Sequence, residues 1–217
     1  MEILFATSNS HKVSEAEGIL GPLGHTVLPL LVDGSPLRFV EPQADGIEEV
    51  AFSKLEQAME ATSGELGSGT AILVEDSGLF VDSLKGFPGP YSSYVEGTIG
   101  LEGVLSLLGG DEPRGAEYRA VAVLGFEGGT LRSQGICRGT ISLEPAGTNG
   151  FGYDPIFVPD EGDGRTCGEM SPEEKSEVSH RARALKAMSE LLNSPSKGID
   201  ALFRAVPIAW VPPYANS

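Results

Sequence analysis

The chain contains no apolar run long enough to cross a membrane, and its first residues carry neither a basic region nor an apolar signal core. A cytoplasmic protein with no membrane partner is expected. Cysteine is scarce. Cys137 and Cys167 lie far apart and match no metal or redox spacing, so two unpaired thiols are expected. Cations are scarce too: 15 lysines and arginines stand against 31 acidic residues, for a net charge of −16. A nucleic-acid polymer needs clustered Lys and Arg along its backbone, so that partner is excluded. The usual phosphate motifs are also missing. There is no GxxxxGK[ST] and no strand-linked GxGxxG, which sets aside P-loop NTPases and dinucleotide-binding dehydrogenases. No internal repeat or low-complexity linker is present.

What is there is a globular composition. The 217 residues are 40% hydrophobic and 21% charged, enough for one large domain or two small lobes. With so few cations, the position of each carries information. Met1–Lys12, MEILFATSNSHK, opens with the apolar run Ile3–Phe5, which reads as a buried strand. Thr7, Ser8 and Asn9 stop it and cap a helix over His11–Leu20. A strand–polar turn–helix points backbone N–H groups and the positive helix end at the turn, which suits an anion, and Lys12 adds a full charge.

Further on, His25–Leu31 and Leu37–Val40 read as short strands, Glu41–Asp45 as a loop and Glu48–Ala61 as a helix. Ser63–Gly69 is a Gly/Ser-rich turn. Ala71–Val74 is a continuous apolar run, expected to be a strand buried on both faces. Glu75 and Asp76 stand at its end, where two carboxylates need something positive beside them. Ser77-Gly78 is expected to turn the chain. Gly86–Tyr94 reads as a rigid loop, Leu101–Leu108 as a helix and Gly109–Gly115 as a connector. Tyr118–Phe126 and Leu131–Ser142 read as an antiparallel pair joined at Glu127-Gly128-Gly129, with bulges at Gly135 and Gly139. Asn149–Pro159 combines glycines, aromatics and an Asp.

Ser171-Pro172-Glu173-Glu174 is a helix start, with Ser at the N-cap, Pro at N1 and Glu at N3. One continuous helix would place Lys175 and Ser179 on one face and turn His180 and Arg181 about 140° and 240° away from Lys175, at about 100° per residue. Convergence on one ligand requires a break, with Ser179 capping a second helix over Arg181–Leu192. The tail Phe203–Tyr214 reads as an irregular segment folding back, with no assigned function. Taken together, the anion turn, the carboxylates, the aromatic-glycine loop and the Lys175/His180/Arg181 group have the four jobs that a nucleoside triphosphate demands: phosphate donors, carboxylates for Mg2+, an aromatic for the base and polar groups for its edges.

These motifs resemble the inosine triphosphate pyrophosphatase family, also called Ham1-like. They are FATSNSHK at the start, VEDSGL at 74–79, GFPGPYSS at 86–93, FGYDPIF at 151–157 and EMSPEEKSEVSHRARAL at 169–185, in family order, from residue 3 to about 192. EEVA at 48–51 resembles the archaeal and eukaryotic branch. The resemblance implies an α/β fold with a mixed sheet and two lobes around a nucleotide cleft. It also implies a homodimer and Mg2+-dependent cleavage (Mn2+ as substitute) of ITP, dITP or XTP to a monophosphate plus pyrophosphate. Residues 1–192 would form that single domain of two lobes, and 193–217 a tail without a family counterpart.

Carried over by motif, Thr7, Ser8, Asn9, Ser10, His11 and Lys12 would cradle the triphosphate, and Lys54 would reach phosphate. Asp76 would activate water and bind the metal together with Glu41, with Ser77 beside the substrate. Phe151, Gly152, Tyr153 and Asp154 would hold the base, completed by Lys175, His180 and Arg181. Ser93 departs from relatives that have a lysine there. Donors such as Arg181, or an N–H of His180, would reward a 6-keto group and reject adenine's amino group by a factor on the order of 10⁴. Two other readings use the same residues: a pyrophosphatase for modified pyrimidine triphosphates, and a nucleotide sensor without turnover.

Overall fold

The computed structural model describes residues 1–62, 67, 69–109 and 113–193. The expected tail, most of the Ser63–Gly69 turn and part of the Gly109–Gly115 connector lie outside the described residues. A six-stranded mixed sheet organises the chain, in the order β2-β1-β5-β6-β7-β8. β1 (Glu2–Phe5) runs parallel to β2 (Thr26–Pro29) and to β5 (Thr70–Val81). β5, β6 (Gly115–Phe126), β7 (Gly129–Ile141) and β8 (Phe157–Pro159) then pair antiparallel. Two-residue strands β3 (Leu31–Val32) and β4 (Ser35–Pro36) form a separate hairpin.

Helices cover both sheet faces. α1 (Ser10–Leu20) and α6 (His180–Leu192) lie on one, where Ala16, Leu20, Leu185 and Met188 pack against Ile3, Phe5, Leu73 and Leu124. α2 (Ile47–Ala61) lies on the other, and its Ile47, Ala51, Leu55 and Ala58 stripe meets Ile72, Val74, Val121 and Val123. A third cluster gathers Val95 of α3 (Ser92–Thr98) and Val104 of α4 (Gly100–Leu107) with Leu79, Tyr118 and Phe157. β5 is buried at every residue except the half-buried Thr70 and Ser77 because both faces are covered, which explains the continuous apolar run Ala71–Val74.

Four local expectations change. The chain does not turn at Ser77-Gly78. β5 continues to Val81 because β6 supplies partners from Ile72↔Gly125 to Val81↔Ala116. Gly78 is needed there because the Gly89 carbonyl lies where a Cβ would stand. Leu37–Val40 is not a strand. Val40 is 79% exposed and its N–H and C=O are both taken by the Gln57 side-chain amide, at 2.9 Å each, in place of a neighbouring strand. Gly135 and Gly139 are not bulges, since the β6–β7 register runs unbroken from Gly115↔Thr140 to Phe126↔Gly129. They mark close backbone approaches instead: a Cβ on Gly135 would meet the α6 backbone at His180 and Ala184, and one on Gly139 would meet Val158 O. Lastly, Gly86–Tyr94 is partly helical, with a 3-10 turn over Gly89–Tyr91 and α3 starting at Ser92. This segment covers the outer edge of β5, where Leu79 N–H donates to Ser92 Oγ (2.8 Å) and Val81 N–H to Phe87 O (3.3 Å).

The helix break is present. α5 (Pro172–Val178) begins with a capping box between Ser171 and Glu174, and Ser179 caps α6 as expected, with the helix starting at His180, one residue before Arg181. No helix among the described residues is long and apolar enough to cross a membrane. Gly135→Ala is expected to force β7 and α6 apart and destabilise the fold by about 1–3 kcal/mol. Urea unfolding measures it, and wild-type stability would contradict the close approach.

Candidate active site

β1 pairs with β5 only as far as Phe5↔Leu73, and the Ser92 cover starts at Leu79. Between them β5 presents Glu75, Asp76 and Ser77 at an edge without a strand partner among the described residues. Side chains alternate along a strand, so the adjacent carboxylates project to opposite faces of the sheet. Asp76 goes to the α2 side with Val74, and Glu75 goes to the α1/α6 side with Leu73.

On the α2 side, Lys54 Nζ lies 2.6 Å from Asp76 Oδ1 and 2.6 Å from Glu41 Oε1. The ammonium therefore holds the two predicted metal carboxylates together. Burial pushes the Asp76 carboxyl up and Lys54 pulls it down, and the net direction is upward. At Lys54 burial acts against the charge, but its carboxylate neighbours prevail, and the ammonium holds its proton more firmly than a free lysine. Among the described residues no three His, Cys, Asp or Glu side chains form a metal cluster. Two convergent carboxylates, one of them 58% exposed, still fit Mg2+, which takes one or two protein carboxylates and completes its shell with water and phosphate oxygens.

On the other side, Lys12 Nζ lies 2.7 Å from Glu75 Oε2 and donates to Glu75 O at 3.2 Å. Arg181 Nε lies 3.2 Å from the same Oε2. Burial raises the Glu75 pKa, but Arg181 and Lys12 outweigh it and hold the carboxyl far below the usual range. Arg181 also reaches Glu15 Oε2 (Nη1, 2.7 Å) and donates to Ser77 Oγ (Nη2, 3.4 Å). Glu15 was not among the predicted site residues. Its signal was its place three residues after Lys12, on the same helix face.

The Thr7–Lys12 turn is self-capped. Asn9 Oδ1 accepts from the N–H groups of His11 (2.9 Å) and Lys12 (3.4 Å), and Thr7 Oγ1 accepts from Asn9 N–H (3.1 Å). Ser8, Ser10 and His11 face solvent. Part of the expected free N–H array is thus already satisfied within the turn.

The FGYD segment divides. Phe151 is 41% exposed, with Lys175 Nζ 4.7 Å and Arg181 Cζ 5.4 Å from its ring centre. Tyr153 and Asp154 are buried. Tyr153 OH donates to Ser92 O (2.8 Å), while Asp154 Oδ2 receives Lys175 Nζ (2.6 Å) and Phe151 N–H (2.7 Å). Gly152 adopts φ +61°, which the turn into the Asp154–Ile156 helical turn requires. Tyr153 and Asp154 therefore act as a frame for Phe151 and Lys175. His180 is buried and stacks on Tyr118, with ring centres 4.5 Å apart. Burial, then Arg181, push its pKa well down, so the imidazole is neutral. A cleft of about 460 Å³ lies between α1 and α5, lined by His11, Glu15, Phe151, Lys175, Ser176 and Ser179 among others. That is the size of a small-molecule site.

Residues 3–191 match the Ham1 family. The chain belongs to the Ham1 family. A dITP/XTP pyrophosphatase of Pyrococcus horikoshii is 44% identical over 192 residues, spanning 88% of this chain and 97% of the relative. Its counterpart from Methanopyrus kandleri is 44% identical over 193 residues, spanning 88% and 95%. Among solved structures, a HAM1 protein from Coxiella burnetii aligns with a TM-score of 0.76 at 32% identity, covering 89% of this chain and 98% of that one. The Ham1 protein of Staphylococcus aureus aligns at 0.74 and 30%, with the same coverage. The Ham1 match ends at the close of α6.

His180 gives this Ham1-family chain a pH signature. Its folded pKa lies below the 6.5 of an unperturbed histidine, so the unfolded chain takes up the proton first as pH falls. The contribution is complete above about pH 6.5 and is lost below it at about 1.4 kcal/mol per pH unit, until the folded pKa is reached. Urea unfolding of wild type and His180→Phe at about pH 7.5 and about pH 5.5 should show the smaller loss in the variant. Equal losses would mean that His180 is not held neutral.

Proposed function

We propose that this chain hydrolyses non-standard purine nucleoside triphosphates, namely dITP, ITP and XTP, to the monophosphate and pyrophosphate, removing them from the nucleotide pool. The observation behind this is the meeting of Asp76, Glu41 and Lys54 at the open edge of β5, with Lys12 on that edge and the Phe151 cleft beyond it. The names of the archaeal relatives support the substrate class.

In this scheme the base lies in the cleft against Phe151. The triphosphate crosses the β5 edge over Thr7, Ser8, Asn9, Ser10, His11 and Lys12, beside Ser77. Asp76, kept ionised by the cation it would help to hold, takes a proton from water. The water oxygen forms a bond to the α-phosphorus, the α–β anhydride bond breaks, and pyrophosphate leaves with its charge balanced by Lys12 and Lys54. Glu41 and Asp76 would hold Mg2+, with Mn2+ as substitute, which neutralises phosphate oxygens when bound. Lys175, Arg181 and an N–H of neutral His180 are the donors for a 6-keto group, and adenine's amino group would meet donors instead. Gly152, Tyr153 and Asp154 frame Phe151. Residues 1–192 serve as one domain of two lobes, with 193–217 as a tail. The working form in this proposal is a cytoplasmic homodimer, without a nucleic-acid or membrane partner.

The test is pyrophosphate release from ITP, XTP, dITP, GTP, ATP and dUTP, with and without Mg2+. Metal-dependent pyrophosphate from the first three, with ATP and GTP far slower, is expected. Preference for dUTP would move the assignment to pyrimidine substrates, and ITP binding without release would indicate a sensor. Asp76→Asn should lower turnover by about 10² or more while ITP still binds. Near-wild-type turnover in that variant would remove Asp76 from the mechanism.

A further inference from the structure

Glu75 has no task in the scheme above, yet it is among the most constrained charged groups in the chain. Its side chain is fully buried. Two cations from different helices converge on one of its oxygens: Lys12 of α1 at 2.7 Å and Arg181 of α6 at 3.2 Å. Its own carbonyl receives the Lys12 ammonium as well. Both contacts are close ion pairs in a buried setting, so the charge of Glu75 is what holds the two cations there. Strand alternation directs this carboxylate to the face opposite Asp76 and Lys54, away from the pair suited to a metal.

We propose that Glu75 is a positioning residue that clamps the phosphate-side cation Lys12 and the base-side cation Arg181 at a fixed separation, and that it binds neither metal nor substrate. This rests on the assignment of Lys12 and Arg181 to the substrate. Lys12 and Arg181 belong to helices that touch the ligand from different sides, and like charges so close would repel without the shared carboxylate. With it, both cations are in place before the ligand arrives, and less binding energy is lost in ordering them. Glu15 and Ser77 hold the remaining nitrogens of Arg181, which leaves Lys12 the more dependent of the two on Glu75.

The experiment compares wild type, Glu75→Gln and Glu75→Asp for kcat and KM on ITP, and for Mn2+ affinity of the nucleotide-free enzyme by electron paramagnetic resonance. Glu75→Gln keeps the shape and removes the charge. It should raise KM by about tenfold or more with a much smaller change in kcat, the pattern of lost ground-state binding. Mn2+ affinity should stay within about twofold of wild type, because the carboxylates that suit Mn2+ lie on the other face. Glu75→Asp keeps the charge but is too short to serve both cations. It should give an intermediate rise in KM, and it tests the clamp even if the glutamine variant does not fold. In a Lys12→Gln background the effect of Glu75→Gln should shrink, since groups that act through one another are not additive.

A purely structural role would lower the yield of folded enzyme and leave its KM unchanged. Wild-type KM in the folded variants would therefore overturn the proposal. So would a loss of Mn2+ affinity of about tenfold, which would make Glu75 a ligand, or a fall in kcat at constant KM. If wild type itself releases no pyrophosphate from any of the triphosphates, the proposed function fails. The clamp is then judged separately, by the ITP dissociation constant of the same variants in calorimetry, where an unchanged value overturns it.

Discussion

The two-residue period of β5 is the constraint on which the site depends. A strand covered on both faces has no solvent side to which a charge can be turned. Glu75 and Asp76 therefore enter two different buried environments, and each needs its own counter-charge. Lys54 reaches Asp76 from α2, while Lys12 and Arg181 reach Glu75 from α1 and α6. Three helices are tied to one strand through charge as well as through apolar packing. Removing one partner of a buried pair costs several kcal/mol, on the order of 3–5, because the other charge is left without compensation. The arrangement is thus specified as a unit.

The acidic composition gives the same picture from another direction. In a chain with 31 acidic residues, the cations of the site are each in contact with a carboxylate: Lys12 with Glu75, Lys54 with Asp76 and Glu41, Lys175 with Asp154, and Arg181 with Glu15 and Glu75. Those pairs hold the donors in orientation and limit the positive potential of the cleft. A bare triphosphate would meet a repulsive field from the rest of the molecule, and a metal-complexed one would meet much less. Phe151 completes the design as an aromatic surface flanked by two of these cations, kept in place by the buried Asp154 beneath it.

Glycine acts at a distance in this fold. Gly78 admits the Gly89 carbonyl beside β5, and Gly135 admits the first turn of α6 against β7. The second approach brings the N-terminus of α6, with His180 and Arg181, down onto the sheet where Glu75 and Tyr118 wait. Conserving volume elsewhere would not replace these contacts, because it is backbone that meets backbone.

Local chemistry decided a good deal from the sequence alone. Asn9 caps α1, and Ser171 and Glu174 form their box, because each depends on hydrogen bonds spanning two or three residues. The break at Ser179 was legible by another route, since one unbroken helix would turn His180 and Arg181 away from Lys175. The β6–β7 pair was legible from two apolar stretches and a short Gly turn. Tertiary structure decided the rest. The sequence cannot say that β5 runs past Ser77, since that follows from a partner strand some 45 residues away in register, Ser77↔Ala120 being one of its pairs. It cannot say that Leu37–Val40 will be held by the Gln57 amide, or that Tyr153 will be drawn inward to Ser92. Nor does it show that Glu15 will meet Arg181 across 166 residues of chain. Those contacts join segments with no local relation, so only the packing of α1 and α6 on a common sheet face selects them.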